Sequence, residues 1–129
     1  MIGAQCVDGL VPGVYHYDPA AHAVDRTGDA DLRSQLAAAS LRQTWMARAP
    51  VSLVITSEYA RICGKYGERG IRYAMIEAGH VGQNIFLQAQ ALGLAAGIVG
   101  AFDDERLIDA LQIPADHRPL LVMPVGYPA

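Results

Sequence analysis

Apolar and polar positions along the chain change period several times, and each change marks an element. Gly13-Val14-Tyr15-His16-Tyr17 reads as a short strand, Asp18-Pro19 as a turn and His22-Ala23-Val24 as a return strand. Thr27, Gly28 and Asp29 offer helix caps before Leu32, Leu36 and Ala39, which share one face. Residues 41–47 read as a second short helix carrying Trp45, stopped by Pro50. Val51-Ser52-Leu53-Val54-Ile55-Thr56 is a nearly continuous apolar run rich in β-branched residues, hence a buried strand. Ser57 is placed to cap a helix that ends near Gly64.

The longest candidate helix covers residues 69–92, roughly 35 Å at 1.5 Å per residue. Gly93 supplies its stop. Residues 95–100 read as a small apolar strand. Asp103, Asp104 and Glu105 put negative charge where the next helix begins, which suits its dipole. That helix ends near Leu111, ahead of Pro114, and residues 119–125 form the last strand. Helices alternate with strands, but the first strands form a hairpin. The pattern predicts an α+β fold, a mixed or antiparallel sheet flanked by helices, in one domain over residues 1–129.

Within the long helix, Ile71, Met75, Ile76, Val81, Ile85, Phe86, Leu87 and Leu92 cover most of the circumference, which predicts burial. Glu77, His80, Asn84 and Gln88 recur at spacings of three and four and share a face. Buried polar groups left unpaired cost about 1–3 kcal/mol each. The stripe therefore needs neighbouring backbone, a partner subunit or a ligand. A hydrogen-bonded core stripe, a dimer seam and the lining of a cofactor pocket all satisfy it. Glu77-x-x-His80 matches the pair used by di-iron bundles, but those need two such pairs and further glutamates, so no metal is expected.

Composition narrows the classes. Hydrophobic residues make up 52% and charged residues 18%, which excludes a disordered chain. A formal net charge of -3 and no block of like charges argue against nucleic acid. Residues 85–102 are interrupted by glutamine and glycine, so no membrane span is expected, and the start has neither the basic nor the apolar region of a signal peptide. A cytoplasmic protein with Cys6 and Cys63 reduced is the expectation. Cys63 itself reads as a small buried apolar residue. No GxGxxG, P-loop, GxSxG or HExxH pattern occurs.

Several segments in order resemble the FMN-dependent nitroreductase superfamily, in particular its azoline dehydrogenase branch. They are Leu10-Val11-Pro12-Gly13-Val14-Tyr15-His16-Tyr17-Asp18-Pro19, Gln43-x-Trp45 with Ala49-Pro50-Val51, and Lys65-Tyr66-Gly67-x-Arg69-Gly70-x-Arg72-Tyr73. Glu77-Ala78-Gly79-His80-Val81-x-Gln83-Asn84, Ala91-Leu92-Gly93-Leu94, Val99-Gly100-Ala101-Phe102-Asp103 and Pro124-Val125-Gly126 follow. The match spans about 115 residues, the C-terminal two-thirds of such a protein.

The resemblance implies an α+β homodimer with FMN at the subunit interface and the long helix in the dimer core. It implies that Val99, Gly100 and Ala101 face the flavin ring, where small residues let backbone approach. Arg69, Arg72, Gln83 and Asn84 are the remaining cofactor-binding candidates, with Arg42 a further cation for an anion site. Lys65 and Tyr66 match the pair that removes a proton in azoline dehydrogenases; otherwise they are an exposed pair after a helix. A lysine that takes a proton must first be neutral, which burial favours. The family's arginine- and serine-rich N-terminal segment and a following Ser/Gly-rich stretch have no counterpart in this sequence. The site is then expected to be completed through dimerisation or by a partner chain that supplies them, unless the chain is a fragment of a longer protein. The implied activity is hydride transfer from an azoline ring, or a related peptide or small molecule, to FMN. The alternatives are an NAD(P)H-dependent nitro- or quinone reductase and a truncated, non-catalytic interaction subunit.

Overall fold

Val54 and Val122 sit opposite each other on paired strands, both almost fully buried, and the sheet extends outward from them. The computed structural model describes residues 2–4 and 7–128. In chain order the elements are β1 (Ile2–Ala4), β2 (Gly13–Asp18), β3 (Ala23–Gly28), α1 (Arg33–Ala39), a 3₁₀ turn (Thr44–Arg48), β4 (Val51–Glu58), α2 (Tyr59–Tyr66), α3 (Arg69–Ala91), β5 (Ala95–Ala96), α4 (Asp104–Leu111) and β6 (His117–Gly126). The strand order is β3-β2-β1-β4-β6-β5 and every pairing is antiparallel. This is the α+β arrangement that the hairpin at the start of the chain implies.

Side chains alternate across the sheet, so its two faces carry different residues. Val54 and Val122 face α1, α4 and the 3₁₀ turn, where Leu36, Met46, Leu107 and Leu111 complete the main core. Leu121 and Met123, one position on, reach α3 on the opposite face, where both lie within 3.6 Å of where a Cβ on Gly82 would stand. Pro119 is tolerated in β6 because the β4–β6 register shifts there, between Ile55 and Thr56.

The long helix differs from expectation. Its buried residues are Gly70, Ala74, Ala78, Gly82 and Ala89, a stripe of small side chains that lets the helix backbone lie close to its neighbours. A Cβ on Gly70 would stand 2.9 Å from the Cys63 backbone nitrogen, so α2 also packs tightly on α3. The large apolar residues turn outward: Met75 is 56% exposed, Ile76 49% and Leu87 61%. Ile85 and Phe86 are half-buried. Glu77, His80, Asn84 and Gln88 are exposed too, so in this chain water satisfies them. Helix amphipathicity is inverted relative to a solvent-facing helix.

Smaller corrections have local causes. β1 falls in a stretch that carries no strand pattern and gains its pairing from β2 and β4. β3 runs on through Thr27 and Gly28, so these do not cap α1; Leu32 occupies that position and no side chain caps it. Ser57 stays within β4, and Glu58 precedes α2. The segment at 41–47 is not a helix from its start, because Leu41 and Arg42 adopt left-handed backbone at φ 53° and 59° before the 3₁₀ turn begins. Only Ala95–Ala96 of the expected strand at 95–100 forms a ladder, with a further isolated bridge at Val99–Val122. Gly93, at φ 72°, follows α3 as anticipated. Asp103 caps α4 by accepting from the Arg106 backbone N–H at 3.1 Å. Cys63 is half-buried and unpaired, whereas Cys6 lies outside the described residues.

Candidate functional site

The last turn of α2 carries Lys65 and Tyr66 to the junction with α3. There the Lys65 Nζ lies 5.1 Å from the centroid of the Tyr66 ring, a cation–π distance. Tyr66 in turn meets Tyr73 of α3 edge to face, with centroids 5.3 Å apart. α2, α3 and the ends of β4 and β6 enclose a cavity of about 600 Å³ that both side chains line. Glu58, Arg61, Glu77 and His117 bring further charge and hydrogen-bonding capacity to its wall, and Ile62, Val81 and Leu120 the apolar part. Lys65 and Tyr66 are exposed, so the buried lysine expected from acid–base logic is not what the chain alone provides.

A second, wider cleft of about 1060 Å³ opens between the β2–β3 hairpin, β4, the end of α4 and α3. Its lining is mainly apolar, including Leu53, Ile85 and Leu111, with His16 and Tyr17 at the hairpin. Ile55, Thr56, Val81 and His117 line both spaces. Thr56 Oγ1 and His117 Nδ1 are 3.1 Å apart, so the threonine hydroxyl fixes the imidazole in the shared wall. Sequence reasoning missed His117 and Thr56 because they are 61 positions apart and meet only through the β4–β6 pairing. Nearby, burial first and the Asp104 charge second hold the Tyr59 phenol above its ordinary range.

The other candidates fall outside these two spaces. Val99 is buried, and its N–H and carbonyl both bond to Val122 at 2.9 Å. Gly100 and Ala101 are exposed, and nothing stands within 4 Å of where a Cβ on Gly100 would be. The Gly97 N–H donates to the Pro124 carbonyl at 2.9 Å, and the Asp103 N–H to the Ala39 carbonyl at 2.9 Å. The segment at 97–101 is thus fixed at both ends with an open surface over Gly100. Arg69 and Arg72 are exposed near the start of α3 and form no ion pair among the described residues. Gln83 and Asn84 are exposed further along the same helix. The fold therefore brings Lys65 and Tyr66 together, buries Val99 in the core, and leaves Gly100 with Ala101, Arg69 with Arg72, and Gln83 with Asn84 as separate surface groups. Among the described residues no cluster of His, Cys, Asp and Glu is arranged to hold a metal, and no helix is long and apolar enough to cross a membrane.

This architecture is shared with known proteins. A protein of Methanocaldococcus jannaschii that carries a nitroreductase designation is 42% identical over 125 residues, which is 97% of this chain and 62% of its own length. The chain thus spans less than two thirds of that relative. The crystal structure of an Anabaena variabilis protein with the same designation superposes with a TM-score of 0.93 at 30% identity, over 99% of this chain and 26% of that one. A chain of the E. coli microcin synthetase McbBCD complex, with truncated pro-MccB17 bound, superposes at 0.81 and 23% identity, over 97% of this chain and 47% of that one. At that identity the likeness is one of fold. The nitroreductase family model matches residues 12–127, nearly the whole sequence, and the chain belongs to the nitroreductase family.

Proposed function

We propose that this chain is the core of an FMN-dependent oxidoreductase that oxidises an azoline ring in a peptide, or a related small molecule, by hydride transfer. The observation that carries the reading is the meeting of Lys65 and Tyr66 in the wall of a cavity with Glu77 and His117. Family membership supports the flavin. The peptide substrate is taken by analogy with a protein of the same fold, a chain of the synthetase complex that holds truncated pro-MccB17.

The residues present fit FMN in two respects. The open surface over Gly100 admits a flat ring against backbone, and Arg69 and Arg72 of a second protomer, unpaired and at the other end of α3, offer charge to its phosphate. FMN supplies the hydride acceptor. The chain's own task is the proton. As one ring C–H gives up hydride and a C=C bond forms, the neighbouring C–H releases its proton to Lys65, which takes it as the neutral amine once substrate and a second protomer cover its end of the cavity. Tyr66 stabilises the resulting ammonium against its ring face and offers its hydroxyl as a second proton carrier. His117, fixed by Thr56, and Glu77 orient the polar part of the substrate.

The outward apolar face of α3 supports a homodimer, with that helix at the seam and the site groups that one chain leaves apart completed across it. A partner chain supplying a further phosphate-binding segment fits the same picture.

Anaerobic mixing of the FMN-loaded protein with a thiazoline- or oxazoline-containing peptide tests the substrate. Loss of flavin absorbance at about 450 nm, with an azole product, is expected. Bleaching by NADPH but not by the peptide would replace this reading with a nitro- or quinone reductase. No bleaching by either would leave the interaction-subunit reading.

A further inference from the structure

We propose that the wide cleft is a slot for one further β-strand, donated by a different polypeptide that inserts between β2 and β4. The inference rests on the reading that a partner chain completes the site, and it names where that chain attaches. β1 pairs with β2 on one side and β4 on the other, and its first register pairs are Ile2 with Tyr15 and Ile2 with Leu53. It therefore holds β2 and β4 two strand spacings apart, about 9.6 Å. Both flanking strands run on past Ile2, β2 to Asp18 and β4 to Glu58. Among the described residues, positions 16–18 of β2 form a ladder only with β3, and positions 55–58 of β4 only with β6. The cleft of about 1060 Å³ lies in this gap, with His16 and Tyr17 lining it from one edge and Ile55 and Thr56 from the other.

Two strand edges that face each other across the width of one strand are both satisfied by a single extended chain, which is β-augmentation with a neighbour on either side. Its direction follows from β1. An occupant in line with that strand runs antiparallel to both neighbours, as β1 does. Four residues opposite 55–58 span about 14 Å, and their side chains alternate between two walls. Ala110 and Leu111 of α4 belong to one wall, Val81 and Ile85 of α3 to the other. Both walls are apolar, so the occupant is a continuous apolar run rich in β-branched residues, the pattern of a strand buried on both faces. This chain's own apolar runs at 51–56 and 120–123 already form β4 and β6, so a second copy has neither to give. At its far end the slot reaches Thr56 and His117, which also line the cavity of Lys65 and Tyr66. The inserted strand becomes part of that cavity's wall.

The probe is a synthetic peptide with a short run of alternating valine and isoleucine between terminal lysines. A second peptide with proline at the centre of the run is the control. Hydrogen exchange on the wild-type chain reads where each binds. The first peptide should slow amide exchange at residues 16–18 and 55–58 about tenfold or more and raise the melting temperature, since a ligand that binds only the native state stabilises it. Proline lacks the N–H and leaves an edge carbonyl unsatisfied, so the control should bind at least about tenfold more weakly. Protection at the outer edges instead, residues 23–28 of β3 or 95–96 of β5, is ordinary edge pairing and overturns the slot. Equal binding of the two peptides overturns it as well. The same runs fused ahead of Met1 form a further arm, because attachment raises the local concentration. Protection by the fused valine–isoleucine run with the free peptide silent means that the slot fills only in cis, and overturns the partner. Protection by neither overturns slot and partner together. No flavin or substrate enters these readings, so their failure is separate from failure of the flavin reading.

Discussion

Lys65→Ala is expected to slow oxidation of the substrate about 10²–10⁴-fold, the usual contribution of a positioned acid–base group, while FMN content stays near wild type. Lys65 lines the cavity between α2 and α3, and no residue of the segment at 97–101 lines that cavity, so its loss should leave the segment intact. It is exposed and forms no ion pair among the described residues, so stability should change by no more than about 0.5 kcal/mol. Tyr66→Phe keeps the ring under the ammonium and its contact with Tyr73, and removes only the hydroxyl. It therefore separates proton handling from packing. Turnover measured under saturating substrate, with flavin content from absorbance, decides the matter. Full activity in both variants would remove the azoline-type mechanism and favour a reductase in which hydride transfer alone suffices.

The double substitution Ile76→Asp with Leu87→Asp should convert a homodimer into a folded monomer. The two residues are eleven apart, three helical turns, so they share a face of α3, roughly opposite the stripe of Gly70, Ala74, Ala78 and Gly82. Both are about half exposed or more in the single chain, so two aspartates there meet water and should barely affect the monomer's own fold. At a dimer seam the same change buries unpaired charge, which costs several kcal/mol and weakens association by at least about a thousandfold. Ile85 is a poorer choice, because it lines the wide cleft and is half-buried within the chain. Sedimentation equilibrium on wild type and variant reads the outcome. A wild type that is monomeric at all concentrations would contradict the seam.

Much of the fold is legible in the sequence because local signals agree with tertiary contacts. The β-branched run into Thr56, the turn at Asp18-Pro19, and the stop at Gly93 each carry their own cause. Harder to read is the orientation of α3. Ile71, Met75, Ile76 and Leu87 draw attention as core candidates, yet Gly70, Ala74, Ala78 and Gly82 mark the face that lies within the chain. Close helix–sheet approach favours small residues, and periodicity of large ones cannot reveal it. The left-handed backbone at Leu41 and Arg42 is imposed by surroundings, against local preference, and so leaves no local signature. Of the candidate site, the adjacent pair Lys65 and Tyr66 could be named from the motif, whereas the Thr56–His117 contact depends on strand register. The segment at 99–101 reads as a strand from its apolar composition. Its single bridge at Val99 and the exposed Gly100 instead make it a fixed loop with one open side.

Equilibrium titration of the purified chain with FMN, followed at the flavin band at about 450 nm, tests the central claim most directly. The account predicts saturable binding of one FMN per chain, retained on gel filtration and accompanied by a rise in melting temperature, since a ligand that binds only the native state stabilises it. Protein that stays colourless after FMN is added, with an unchanged melting temperature, would contradict it.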